Sequence, residues 1–327
     1  MSKLVTIYGG SGFLGRNIAR RMARAGWRVR VAVRRPNDAQ FVRTYGVVGQ
    51  VEPILCNIRD TASVRAAMRG ADAVVNCVGI LAEGGKQGFE AVQREGAARV
   101  AELAAELGIG RLVQISAIGA DEQSDSAYAR SKAQGEKAVL EAFPDAVILR
   151  PSIIFGPGDS FFNRFGAMSR TMPIIPLVGA QTRFQPVFVD DVAAAAETAL
   201  RDSSVSGVYE LGGPEVDTFR GLMRRMLAVT GRRRAVIGLP FWLGGIMGAS
   251  FDLLKTLSGG LIAGPITRDQ VRNLRRDNVV SPGARGLEDL GITPMAMGAI
   301  LPEYLWRFRR DGQYADIMKS AKNLRGE

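Results

Sequence analysis

Tyr128 and Lys132 stand four residues apart, a spacing that puts both on one face of a helix. A lysine so placed can hold a cofactor ribose and lower the pKa of the phenol, which then exchanges a proton with a carbonyl or alcohol. A second set of residues opens the chain. Leu4 to Tyr8 is a short β-type run, Gly9, Gly12 and Gly15 follow it at intervals of three, and Ile18, Met22 and Ala25 then fall on one side of an amphipathic helix. Strand, glycine turn and helix in that order make a dinucleotide site. The first glycine permits the tight turn, the second lets backbone approach a pyrophosphate, and the third lets helix pack close on strand. Gly9, Ser11, Gly12, Phe13, Leu14 and Gly15 are the candidate phosphate contacts, at the partly positive start of a helix.

The run Arg28 to Val33 reads as the second strand and ends at Arg34-Arg35-Pro36. An acidic residue there would accept from a ribose 2′-hydroxyl; arginine favours a 2′-phosphate, and hence NADPH or NADP⁺. Arg16 is expected to reach the same phosphate. Val74 to Gly79 closes a fourth strand at the sheet edge where dinucleotides lie, making Cys77, Val78 and Gly79 candidates. Leu149 to Gly158 follows a sixth strand, and Pro151, Ile153 and Ile154 are expected against the nicotinamide end.

Composition narrows the chemistry. The 327 residues include no histidine, which excludes histidine bases, Ser-His-Asp triads and histidine-ligated metals; proton transfer falls to Tyr, Lys or carboxylates. Cys56 and Cys77 are the two cysteines. Both lie in apolar strand-like runs and read as small buried hydrophobes, with neither a disulfide nor a metal site expected. The net charge is +11, and residues 213–327 hold 18 Lys+Arg against 11 Asp+Glu. That basic segment suits an anionic membrane surface or an acidic protein. No nucleic-acid-binding signature accompanies it, so no nucleic acid is expected. Only Met1, Ser2 and Lys3 precede the first strand, so no leader peptide is expected.

Strand-like and helix-like segments alternate up to residue 150, with strands at 3–8, 28–34, 51–56, 72–78, 111–116 and 146–150 and helices at 13–25, 61–69, 88–107 and 127–142. Such alternation predicts an α/β fold, a Rossmann-type doubly wound parallel sheet, with a smaller, mainly helical C-terminal lobe. Residues 1–150, with return elements at about 184–212, form the nucleotide domain; 151–183 and 213–327 form the basic lobe. Phe184 to Val189 predicts a return strand, and Asp190-Asp191 a capped helix over 191–201. Ala235 to Phe251 is 17 residues without a charge. Pro240 and four glycines interrupt it, so it predicts a membrane-surface or partner contact, or a core helix of the lobe, in preference to a spanning helix.

Val74 to Gly79, Tyr128-Ala129-Arg130-Ser131-Lys132 and Leu149 to Gly158 together resemble the short-chain dehydrogenase/reductase superfamily, in its extended or atypical branch, over residues 3–215. The resemblance implies that Asn57 and Ile58 contact the adenine; the family usually has Asp at the first position. It also implies a hydroxyl after the fifth strand. Ser116 matches the first serine of that run, and the usual catalytic position falls on Ile118, which implies poor turnover. A narrower resemblance rests on Tyr128 to Lys137, Phe184 to Val192, Ile266 to Val271 and Gly286 to Ile292. These segments are similar to the nucleotide-binding nine-alpha accessory subunit of respiratory complex I. That family implies a non-catalytic subunit with a tightly bound NADPH, where the peripheral arm meets the membrane arm near the quinone site. For this chain it implies complex I partners at the cytoplasmic face of a bacterial inner membrane. The competing expectation is a soluble NADP-dependent reductase, epimerase or dehydratase acting on a sugar nucleotide or another carbonyl or alcohol, with Tyr128 and Lys132 as its catalytic pair.

Overall fold

The computed structural model describes residues 2–257, 264, 266–310 and 312–314. The chain runs β1 (Leu4–Tyr8), α1 (Phe13–Arg24), β2 (Arg28–Val33), β3 (Val51–Leu55), α2 (Thr61–Met68), β4 (Ala73–Asn76), α3 (Glu95–Glu106), β5 (Arg111–Ile115), α4 (Ala127–Ala142) and β6 (Val147–Pro151). Next come β7 (Ile154–Phe155), α5 (Phe161–Thr171), β8 (Ile174–Val178), β9 (Arg183–Phe184), β10 (Val187–Phe188), α6 (Val189–Arg201) and β11 (Gly207–Leu211). The last part holds β12 (Asp217–Thr218), α7 (Phe219–Thr230), β13 (Ala235–Leu239), α8 (Phe241–Leu257), α9 (Arg268–Asn273) and α10 (Met297–Leu305).

Seven parallel strands form the central sheet in the order β11-β6-β5-β4-β1-β2-β3. The order reverses between β1 and β4, which opens a crevice at the carboxyl ends of those two strands. Both faces of the sheet are covered, which is why β1 and β4 are buried along their whole length. On one face Ile18 and Met22 of α1 pack with Val192 and Ala196 of α6; the alanines of α6 let the two helices approach closely. On the other, Val64 and Met68 of α2 pack with Val100 and Ala104 of α3 and Val139 of α4. A third core, with Phe162, Leu222, Met226 and Tyr304, belongs to the lobe. Leu287 and Leu290, assigned to the lobe by position in the chain, pack instead into the core of the sheet beside α1 and α6.

Three local expectations need correction. Phe184 to Val189 is not one strand: β9 pairs with β12 and β10 with β7. The following helix begins at Val189 with no side-chain cap. Asp191, expected as a cap, accepts instead from the Met295 N–H at 2.8 Å. The apolar run from Ala235 is likewise not one helix. Its first five residues form β13, parallel to β8, and Pro240 separates that strand from α8. Among the described residues no helix is long and apolar enough to cross a membrane.

Candidate functional site

The turn after β1 fits an anion at backbone level. Gly9 has φ +74°, a region that an L side chain rarely enters. A Cβ on Gly15 would stand 2.5 Å from the Gly9 carbonyl oxygen and 2.7 Å from Gly10 Cα, so the third glycine is what lets α1 sit against the turn. α1 starts at Gly12 with no side-chain cap and no acidic residue in its first turn. By contrast, the Asp60 carboxylate caps α2 at 2.9 Å. The first-turn N–H groups of α1, on Phe13, Leu14 and Gly15, are the donors that a pyrophosphate would need.

From this turn a cleft of about 270 Å³ extends over the carboxyl ends of the strands. It brings together nine of the predicted residues: Gly9, Ser11, Gly12, Arg34, Asn57, Ile58, Cys77, Val78 and Gly79. Among the described residues no carboxylate lines it, and two arginines do, Arg34 and Arg59. Sequence reasoning missed Arg59, which also donates to the Lys86 carbonyl at 2.7 Å and so ties the rim of the cleft to the 81–89 loop. Two other arginines lie elsewhere. Arg35 is 84% exposed beside Asp38, outside the cleft lining. Arg16 is likewise outside the cleft lining: its guanidinium donates to the Pro157 carbonyl at 3.2 Å and lies over the Phe13 ring. It therefore links α1 to the loop after β7.

Lys132 borders the same cleft. A Cβ on Gly79 would lie 3.3 Å from its Nζ, and Nζ donates to the Ile115 carbonyl at 3.3 Å. Burial brings the ammonium down to about 8, against smaller opposing effects of Glu136 and Cys77. Burial pushes the Cys77 thiol up to about 12. Tyr128, its ring edge against Phe89, is also pushed up by burial to about 12. Ser116 is 5% exposed, and its Oγ has no hydrogen-bond partner among the described residues. It stands next to the carbonyl that Lys132 contacts. Ile118 offers no hydroxyl; its N–H donates to the Pro151 carbonyl and its carbonyl accepts from Asn278. Ile153 and Ile154 follow, with Ile154 held in β7; neither they nor Pro151 line the cleft.

The profile of the NAD dependent epimerase/dehydratase family matches residues 5–212. The chain is also 34% identical to the Arabidopsis thaliana protein NADH dehydrogenase [ubiquinone] 1 alpha subcomplex subunit 9, mitochondrial, over 94% of this chain and 79% of the plant one. The chain belongs to this family, in its subunit 9 branch. The NADH-ubiquinone oxidoreductase 40 kDa subunit of Neurospora crassa is 30% identical over 98% of this chain and 84% of its own. A ceramide reductase of Caulobacter vibrioides is 34% identical over 72% of this chain and 74% of its own. Among solved structures, the UDP-glucose 4-epimerase of Thermus thermophilus, in complex with NAD, superposes with a TM-score of 0.68 at 19% identity, covering 94% of this chain and 99% of the epimerase. That likeness shows the fold.

For this family a nicotinamide dinucleotide is the expected occupant, and the residues present fit one. The glycine cradle leaves room for phosphates, the start of α1 is uncapped, the cleft lining is cationic, and the Ser116 hydroxyl lacks a partner among the described residues. When bound, such a group would supply hydride chemistry. The turn after β1 would hold its phosphates, and Asn57 and Ile58, which line the cleft, and Lys132, which borders it, are the residues that would face the rest of the dinucleotide.

Proposed function

We propose that the chain is a non-catalytic accessory subunit of a proton-pumping NADH:quinone oxidoreductase, holding a tightly bound NADPH. The observation that carries this reading is the likeness to complex I subunits along nearly the whole chain, including the lobe beyond the family profile. NADPH in place of NADH is supported by Arg34 at the end of β2 and by the absence of a carboxylate from the cleft lining. Loss of catalysis is supported by Ile118, which offers no hydroxyl where the family's catalytic one is expected.

We further place the subunit near the quinone site, on the cytoplasmic face of a bacterial inner membrane. Trp242, Ile246 and Leu253 of α8 are 58–66% exposed along one side of the helix, an apolar stripe on a basic lobe that suits such a junction. The test is native purification from membranes. The chain should survive a high-salt wash, because a buried apolar contact is insensitive to salt. It should leave the membrane in detergent within a large assembly, with NADPH in stoichiometric amount. Recovery as a free protein, with complex I complete without it, would sink the subunit reading.

A second reading has one observation of its own. The ceramide reductase relative shares 34% identity over 72% of the chain, so a soluble NADP-dependent reductase retaining Tyr128 and Lys132 is the alternative. Rapid NADPH oxidation on a carbonyl substrate, lost in Tyr128→Phe, would establish it.

A further inference from the structure

The segment around α9 is remote in sequence from the nucleotide site, yet it holds the helix that carries Tyr128 and Lys132. The Asp269 carboxylate accepts from the Ala127 N–H at 2.7 Å, from the Tyr128 N–H at 3.2 Å and from the Ser126 hydroxyl at 2.8 Å. These are the first N–H groups of α4, which has no acidic residue in its own first turn. Its own cap, Ser126, reaches only the Ala129 N–H, at 3.4 Å. Asp269 therefore supplies from another part of the fold the negative charge and the acceptors that a helix start needs.

Two further contacts extend the clamp. Arg272 donates to the Asp125 carbonyl at 3.3 Å, and Arg276 pairs with Asp121 at 2.7 Å. Residues 269 and 272 stand at i, i+3 on α9, and Arg276 lies just beyond its C-terminal end. α9 is firm at its own start, where Thr267 and Gln270 make reciprocal caps. Further along α4, a Cβ on Gly135 would stand 2.3 Å from the Gln93 carbonyl oxygen. α4 is thus fixed at its start by α9 and at mid-length by the helical turn before α3. Lys132 lies between, about 9 Å along the axis from Ser126 at 1.5 Å per residue.

We infer that Asp269 is a positioning residue of the nucleotide site: by fixing the first turn of α4 it sets Lys132 beside the cleft and couples nucleotide affinity to the seating of α9. This rests on the reading of the cleft as an NADPH site. Coupling is reciprocal, so nucleotide should in turn hold α9 in place.

Titration calorimetry with NADPH on the full chain tests it, using wild type, Asp269→Asn, Asp269→Ala, Lys132→Met and the double variants. Asp269→Asn keeps the shape and removes the charge, so it carries the test if Asp269→Ala misfolds. It should weaken NADPH about three- to tenfold, the size of a charge at a helix start. In the Lys132→Met background the same substitution should cost less than about twofold, because the lysine through which it acts is gone. Hydrogen exchange supplies the second readout: NADPH should slow the amides of 126–129 and 267–273 in wild type, and those of 267–273 much less in Asp269→Asn. Equal losses in the presence and absence of Lys132 would indicate a general loss of stability and overturn the proposal. So would unchanged affinity in Asp269→Asn with faster exchange at 126–129. Failure of the wild type to bind NADPH is a separate outcome that removes the reading of the cleft, and the proposal with it.

Discussion

Replacing Gly15 by alanine sets two effects of opposite sign against each other. Gly15 lies inside α1, where alanine is favoured over glycine by about 1 kcal/mol. Helix propensity alone predicts a more stable protein. The structure predicts the reverse. The new Cβ would sit 2.5 Å from the Gly9 carbonyl oxygen, 2.7 Å from Gly10 Cα and 3.1 Å from the Gly9 carbonyl carbon. An ordinary carbon–oxygen contact is about 3.3 Å, so α1 and the turn must part by about 0.8 Å. All three atoms are backbone, and no side chain can swing away. Overpacking of this kind costs about 1–3 kcal/mol, which exceeds the propensity gain over most of that range. The net is a loss of up to about 2 kcal/mol, and a melting temperature lower by roughly 1.5 °C for each kcal/mol in a chain of this length. Displacing the turn also moves the phosphate donors, so the stabilisation that NADPH adds by mass action should shrink as well. Thermal melts with and without NADPH read both effects. A variant that melts above wild type with an undiminished NADPH shift would refute the argument from close approach.

Arg34→Ala should weaken NADPH by roughly ten- to a hundredfold, the value of a charge-assisted hydrogen bond, and leave NADH nearly unchanged; equal weakening of both in calorimetry would assign the arginine another role. Lys132→Met should raise the stability of the nucleotide-free protein at pH 7. The buried ammonium titrates near 8 when folded against 10.5 for an ordinary lysine. Its penalty, about 3 kcal/mol, is therefore complete below pH 8, fades between pH 8 and 10.5 and is absent above; denaturant curves across that range should show the gap between variant and wild type closing as pH rises. Arg150→Met should destabilise by about 3–5 kcal/mol, because it leaves the buried Glu136 and Glu210 carboxylates, 2.6 and 3.4 Å from the guanidinium, without their cation; an unchanged denaturation midpoint would contradict this.

What was legible in the sequence is what local rules enforce. The glycine spacing, the buried strands and the helix stops each have a cause within a few residues, and the seven-stranded sheet follows from them. The misreadings share a different cause. Asp190-Asp191 looks like a helix cap, but Asp191 is drawn to the Met295 N–H, 104 residues away. Arg59 was passed over because its place in the cleft depends on a loop that local pattern does not position. Ala235 to Phe251 reads as one apolar run, and only the pairing of β13 with β8 divides it. The hold of α9 on α4 spans more than 140 residues and leaves no periodicity to detect.

The last strand of the sheet, β11, comes from residues 207–211 and pairs with β6, and Leu287 and Leu290 complete the core beneath it. The Glu210 N–H donates to the Arg285 carbonyl, and its carboxylate accepts from the Ser281 N–H. A ribosome that has made only about the first two hundred residues has therefore produced a sheet with an open edge and an unfilled core. The amino-terminal half is not a finished module by itself; it is completed by residues that follow much later in the chain. A chain cut short by a premature stop or a protease would expose β6 as an unprotected edge, a template for aggregation. A nucleotide bound at the β1 turn would then report on more than the strands that hold it, because the sheet beneath it is completed by residues 207–211 and 287–290.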